Sequence, residues 1–265
     1  MEKEKYTPVA HICGTVLLLA AIQWGFVAAL ILIYDITITK PLMVFFISSA
    51  AYHTAMAAFL LIQRKDFYNI EHKRFLLRIN IPNYLSLFRL SSMPTVTLLL
   101  VLAWQYPIAI IVLVFTAIVF LTDFLDGYIA RKTNQITRIG RYLDSMSDYA
   151  ILIVISIVFY NYHLIPMWFL WVVIARLFIQ GIGMGVLLLI KGKVRVESSF
   201  LAKTSIFSIM VVYGLHILSF FYTLEILNTY ILPIVDIIAS IILAISLAEK
   251  LAKLWQYSKL PPEEI

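Results

Sequence analysis

The sequence predicts an all-α fold, a polytopic helical bundle embedded in a membrane. Two observations predict it. Of 265 residues, 62% are hydrophobic and only 14% are charged, well outside the composition of a soluble domain of this size. The apolar residues gather into runs of about 20, the length a helix needs to cross a bilayer. Lipid offers the backbone no hydrogen-bond partner, so a spanning chain must be helical or a closed barrel. The alternating pattern of barrel strands is missing here.

Eight runs follow in order, at about 9–34, 41–63, 82–104, 107–130, 142–160, 165–190, 203–222 and 230–254. Pro41, Pro82, Pro107 and Pro166 each stand near the start of a run, where the missing N–H costs a helix little. The first run is too long for a signal peptide, and the EKEK before it has no net charge, so it reads as a genuine span. Its Cys13 is the sole cysteine, can form no intrachain disulfide and reads as packing. Residues 64–81 mix basic and apolar side chains. They read equally as an amphipathic helix at the membrane interface and as a solvated connector. The chain therefore divides into an N-terminal extension with two spans (1–63), this connector (64–81), a six-span membrane domain (82–254) and a tail (255–265).

Lysine and arginine set the orientation. They crowd the loops near 64–78, 131–141 and 191–203, whereas the alternate loops hold only Lys40. With eight spans, the basic loops and both termini fall on the cytoplasmic side. The net charge of +6 then reflects topology and attraction to anionic membrane lipids, not nucleic acid.

Four aspartates stand against this apolar background. Asp123 and Asp126 are three residues apart and Asp144 and Asp148 four apart, so each pair shares one helix face. If the basic loop between them joins antiparallel helices, a rise of about 1.5 Å per residue sets the depths. Asp126 and Asp144 lie ~5–8 Å inside the loop, and Asp123 and Asp148 ~10–12 Å inside. Carboxylates are costly in a membrane and mark function by default. Facing rungs of them repel one another unless cations intervene, and an all-oxygen ligand set favours Mg²⁺, Mn²⁺ or Ca²⁺ over zinc. Arg89 and Arg176 are the only arginines well inside apolar runs. Each needs an anionic or water-filled neighbour, or must snorkel to the interface. His11, His53, His216 and Asp236 have no partners at ligand spacing and read as interhelical hydrogen bonders.

The pattern Asp123-x2-Asp126-Gly127-x2-Ala130-Arg131-x8-Gly140-x3-Asp144-x3-Asp148 is similar, at every position, to the signature of the CDP-alcohol phosphatidyltransferases. Upstream, IPNYLSLFRLSSMP (81–94) resembles that family's PNxxTxxR stretch, with Ser86 at the threonine position. The resemblance implies a six-helix CDP-alcohol phosphotransferase core with two extra N-terminal transmembrane helices. It implies two divalent metal ions (Mg or Mn) held by Asp123, Asp126, Asp144 and Asp148, with Asp148 also the catalytic base. It assigns the CDP-linked donor to Asn83, Gly127, Ala130, Arg131 and Gly140. Arg176 falls in the acceptor's phosphate pocket, which Lys203 and Arg89 join. It also implies a homodimer. Independently of the family, small residues such as Gly127, Ala130 and Gly140 suit close helix packing.

The stretch 123–137 is similar to bacterial phosphatidylglycerophosphate synthases, so glycerol 3-phosphate is the lead acceptor for the phosphatidyl group of CDP-diacylglycerol. Tyr149 and Met184 stand where that subgroup carries a lysine and a second arginine. Serine, inositol phosphate, or a pairing of CDP-choline or CDP-ethanolamine with diacylglycerol therefore stay open. A cation transporter is the alternative of another class. Two similar halves with broken helices are missing, however, and the acids lie near one face instead of the midplane.

Overall fold

The computed structural model describes residues 6–38, 40–191, 200–222 and 225–259, with side chains for all of these except 180–191, 203 and 257–259. The helices are α1 (Val9–Ile33), α2 (Lys40–Ile62), α3 (Ile81–Ser91), α4 (Met93–Leu102), α5 (Ala109–Lys132), α6 (Arg138–Asn161), α7 (Met167–Lys191), α8 (Phe200–Phe221) and α9 (Leu232–Lys259). Among the described residues, seven helical stretches are long and apolar enough to cross a membrane, with α3 and α4 together forming one of them. The helix α7 adds a shorter apolar stretch, Met167–Ile179. The protein is a polytopic all-α membrane protein.

Three elements differ from the expectation. The third span is not one helix but two, broken at Ser92. Pro94 has no N–H for the carbonyl of Leu90 and its ring crowds that carbonyl, which kinks the chain. The Ser92 N–H turns back to Phe88 O at 3.0 Å and Arg89 O at 3.2 Å. The connector is not an amphipathic helix. After a 3₁₀ turn at Arg64–Asp66 it forms a hairpin of β1 (Tyr68–Asn69) and β2 (Arg74–Phe75), antiparallel, with Tyr68 opposite Phe75. Asn69 causes this locally. Its Oδ1 accepts the N–H groups of Glu71 and His72 at 3.0 and 2.8 Å, the side-chain turn at which asparagine excels. Finally, α9 runs to Lys259, beyond the expected end at 254, and a π-turn at Leu227–Ile231 leads into it.

The chain divides into two compact units, 1–154 and 155–265, with the boundary inside α6. In the first, Ile12, Val16 and Leu19 of α1 and Met56 and Leu60 of α2 share one buried cluster with Leu87 and Leu90 of α3 and Ile139 and Leu143 of α6. The N-terminal helices thus pack directly on the helices that carry the signature. Polar contacts pin the same seam. The Ile79 N–H donates to His11 Nε2 at 3.2 Å, and Thr7 Oγ1 donates to Leu76 O at 2.7 Å. Lipid tails are as apolar as leucine, so such packing and interhelical hydrogen bonds, about 0.6 kcal/mol each on average, hold membrane helices together.

In the second unit, buried His216 and Asp236 pair at 2.9 Å between α8 and α9. Tyr213 bonds Ser156 on α6. His216 and Asp236 are thus interhelical hydrogen bonders, as is His11, whose Nε2 also lies 3.4 Å from the Tyr84 hydroxyl of α3.

Candidate active site

The helices α5 and α6 are joined by residues 133–137, a tighter link than the expected 131–141. Asn134 takes φ 53°, a left-handed conformation that asparagine tolerates, and Gln135 N–H closes on Ala130 O at 2.9 Å. Thr137 then caps α6, its Oγ1 accepting the N–H of Gly140 at 2.9 Å. The same hydroxyl donates to Asn83 Oδ1 at 3.0 Å, which ties the start of α3 to the start of α6. The hairpin holds this link from outside. Ile70 N–H donates to Ile136 O at 2.9 Å, and Asn69 Nδ2 donates to Asn134 O at 3.0 Å.

This frame explains Gly140. A Cβ there would lie 2.7 Å from both Asn83 Oδ1 and Thr137 Oγ1. Gly140→Ala should therefore break the cap-to-Asn83 link, lowering the melting temperature by several degrees and turnover with it. A variant with wild-type melting and activity would refute that role. Gly127 is different: a Cβ there meets only the flexible end of Arg131, whose Nη1 would be 3.2 Å away. Ala130 lies in the last turn of α5, next to Arg131.

All four aspartates converge, and they do so on Arg89. Its guanidinium is fully buried. Nη1 lies 2.6 Å from Asp123 Oδ1. Nη2 lies 3.1 Å from Asp144 Oδ1, 3.3 Å from Asp148 Oδ1 and 3.4 Å from Asp126 Oδ2. Nε donates to Ser147 Oγ at 2.8 Å. Ser86 Oγ donates to Asp126 Oδ2 at 2.7 Å. Oxygens of Asp123, Asp126 and Asp144 lie within 4.8 Å of one another. Burial divides the four: Asp126 and Asp148 are buried, while Asp144 is half exposed and Asp123 less so.

The donor set fits divalent cations. Four carboxylates facing one guanidinium leave three negative charges uncompensated, and every donor is a hard oxygen, as Mg²⁺ and Mn²⁺ prefer. Asp148 Oδ1 is buried and accepts no hydrogen bond among the described residues.

Arg89, expected on the acceptor side, stands among the four aspartates. It follows Ser86 by three residues, so both side chains leave one face of α3 and both reach the acids of α5 and α6. Sequence reasoning also missed Ser147 and Thr137. Ser147 carried a signal, lying three residues after Asp144 on the same helix face.

Arg176 is in the second unit, buried on α7, where Nη2 donates to Ser205 Oγ and, at 3.4 Å, to Ala202 O. Ser205 Oγ also contacts Ser246 Oγ of α9 at 3.2 Å. The Lys203 side chain lies outside the described residues.

Residues 79–250 match the family model described as CDP-alcohol phosphatidyltransferase. The match covers well over half of the chain, and the protein belongs to that family. Curated relatives match over shorter stretches. A CDP-diacylglycerol--glycerol-3-phosphate 3-phosphatidyltransferase of Aquifex aeolicus is 46% identical over 70 residues, 26% of this chain and 37% of the relative. Proteins of the same name from Haemophilus influenzae and Salmonella choleraesuis are 36% and 34% identical over 95 and 92 residues, 35% of this chain in each case. These alignments span half or less of each relative's length.

Proposed function

We propose that this protein transfers the phosphatidyl group of CDP-diacylglycerol to glycerol 3-phosphate, releasing CMP. The observation that carries the reading is the convergence of Asp123, Asp126 and Asp144 within 4.8 Å, with Asp148 beside them. The relatives' names supply the two substrates. The acceptor hydroxyl gives its proton to Asp148 as its oxygen attacks the diacylglycerol-bearing phosphorus. The bond from that phosphorus to the bridging oxygen breaks, and CMP leaves with the bond's electron pair. Asp148 suits the base role because its buried Oδ1 accepts no hydrogen bond among the described residues and so has a lone pair to offer the acceptor's hydroxyl proton. Asp123, Asp126, Asp144 and Asp148 would hold two divalent ions, Mg²⁺ or Mn²⁺, which neutralise charge on the pyrophosphate and on the leaving phosphate when bound. Asn83, Gly127, Ala130, Arg131 and Gly140 would receive the cytidine diphosphate.

The protein would act as a homodimer in a bacterial inner membrane, with its site facing the cytoplasm. The clustering of Lys and Arg in alternate loops supports that orientation. The test is a product assay: purified protein, labelled CDP-diacylglycerol and a panel of alcohols. Phosphatidylglycerophosphate and CMP are expected with glycerol 3-phosphate. Transfer only to serine, inositol phosphate or another alcohol would overturn the acceptor and leave the transfer chemistry standing. No release of CMP with any acceptor would overturn the reading altogether.

Within that reading, Arg176 and Lys203 serve the acceptor. A guanidinium matches phosphate with paired N–H donors that lysine lacks. Arg176→Ala should raise the KM for glycerol 3-phosphate by about tenfold or more. Arg176→Lys should recover only part of the loss, and the KM for CDP-diacylglycerol should hardly move. Equal rises in both KM values would refute the division of labour.

A further inference from the structure

The N-terminal helices contain no residue of the signature, yet two of their polar side chains end at the break between α3 and α4. Both are nearly inaccessible, His53 at 4% exposure and Gln23 at 1%. His53 Nδ1 lies 2.7 Å from the carbonyl oxygen of Ser49. A carbonyl only accepts, so Nδ1 carries the proton and Nε2, in the neutral ring, is an acceptor. Nε2 lies 2.8 Å from Ser91 Oγ, so the Ser91 hydroxyl donates to it. Gln23 Nε2 donates to Ser92 Oγ at 3.1 Å, and that hydroxyl donates to Phe88 O at 2.8 Å. Ser91 and Ser92 are fully buried, and between Phe88 and Ser91 on this stretch lies Arg89.

The location matters because Pro94 has already removed the helical hydrogen bond to Leu90. The end of α3 is left to the Ser92 N–H, which caps the Phe88, Arg89 and Leu90 carbonyls, and Arg89 lies within this turn. Its guanidinium touches all four aspartates, so a small rotation of this end moves the one group common to them. Without a partner from α1 and α2, the hydroxyls of Ser91 and Ser92 would have only their own helix to bond, and the break would be held by packing alone.

We propose that His53 and Gln23 are positioning residues of the transfer reaction: by holding Ser91 and Ser92 they fix the end of α3, aim Arg89 at the aspartates and so set the carboxylate spacing that receives the cations. The N-terminal helices are then a working part of the active unit. This rests on the metal-dependent transfer read above, and on no particular acceptor.

The experiment uses the full-length protein in lipid nanodiscs, as wild type, His53→Ala, His53→Gln, Ser91→Ala and the double variant His53→Ala/Ser91→Ala. Mn²⁺ binding is followed by the electron paramagnetic resonance of the free ion, without turnover. Melting temperature, kcat and the KM for CDP-diacylglycerol are measured alongside. His53→Ala keeps the charge of Arg89 and alters only its aim, so the cations lose spacing and gain no attraction. The Mn²⁺ half-saturation should rise at least about threefold and kcat should fall by a similar factor, as when support around metal ligands is lost. The donor KM should change less. Ser91→Ala should reproduce this, and the double variant should add nothing to either single one. His53→Gln should recover most of the loss, because its Oε1 stands where Nε2 accepted from Ser91.

Wild-type Mn²⁺ half-saturation and kcat in both His53→Ala and Ser91→Ala, with only the melting temperature lowered, would overturn the proposal and leave these contacts as simple helix pins. So would effects of the two substitutions that add. A wild type that binds no Mn²⁺ overturns it as well. A wild type that binds Mn²⁺ but transfers to no alcohol overturns only the transfer reading.

Discussion

Alanine at Asp123, Asp126, Asp144 or Asp148 should reduce turnover by about 10³-fold or more, the scale of losing a principal element of a catalytic unit. Excess EDTA should abolish it. The four acids fail for different reasons. Asp123, Asp126 and Asp144 bring their oxygens within 4.8 Å, so each loss would open the proposed cation site directly. Asp126 is also braced by Ser86 at 2.7 Å, and Ser86→Ala should weaken the site far less than Asp126→Ala. Asp148 stands outside that group and is the proposed proton acceptor. Asp148→Asn preserves shape and removes basicity, so it should still bind donor, bind Mn²⁺ more weakly and lose turnover. Full activity in EDTA would sink the metal reading, and Asp148→Asn turning over near the wild-type rate would sink the base.

Much of this was legible in the sequence because it depends on spacing along one helix. The apolar runs set the spans, and offsets of three and four placed each aspartate pair on one face. The break at Ser92 was legible in principle, since Pro94 lies inside the third run. The hairpin at 68–75 was not legible. Strands of two residues carry no periodicity, and the turn depends on one asparagine side chain and on Lys73 at φ 50°. Arg89 shows the deeper limit. Its helix face could be read, but three helices had to be set in register before that face could be matched to the acids. Gly140 is the converse case. The signature marked it, and the structure supplies the reason in the crowding of Asn83 and Thr137.

Removing the guanidinium of Arg89 should expose the other large effect. The arginine is fully buried and is the counter-charge that all four aspartates share. Breaking such a buried pair costs about 3–5 kcal/mol, mostly because the remaining charge is left uncompensated. In EDTA, Arg89→Ala should therefore melt well below the wild type. Added Mn²⁺ should close much of that gap, because a ligand that binds the folded state stabilises it and the cations then supply the missing positive charge. Activity should not return with stability. Nε on Ser147, Nη1 on Asp123 and Nη2 on Asp144 hold a planar fork among three side chains, and an aqueous ion does not orient the carboxylates in that way. Turnover should stay down by about 10²-fold even at saturating Mn²⁺. Arg89→Lys keeps the charge without the fork, so it should regain stability in EDTA and only part of the rate. If Arg89→Ala melted like the wild type in EDTA, the guanidinium would not be neutralising the acids. If Mn²⁺ restored full turnover to that variant, its role would be charge alone, and orientation by Arg89 would be refuted.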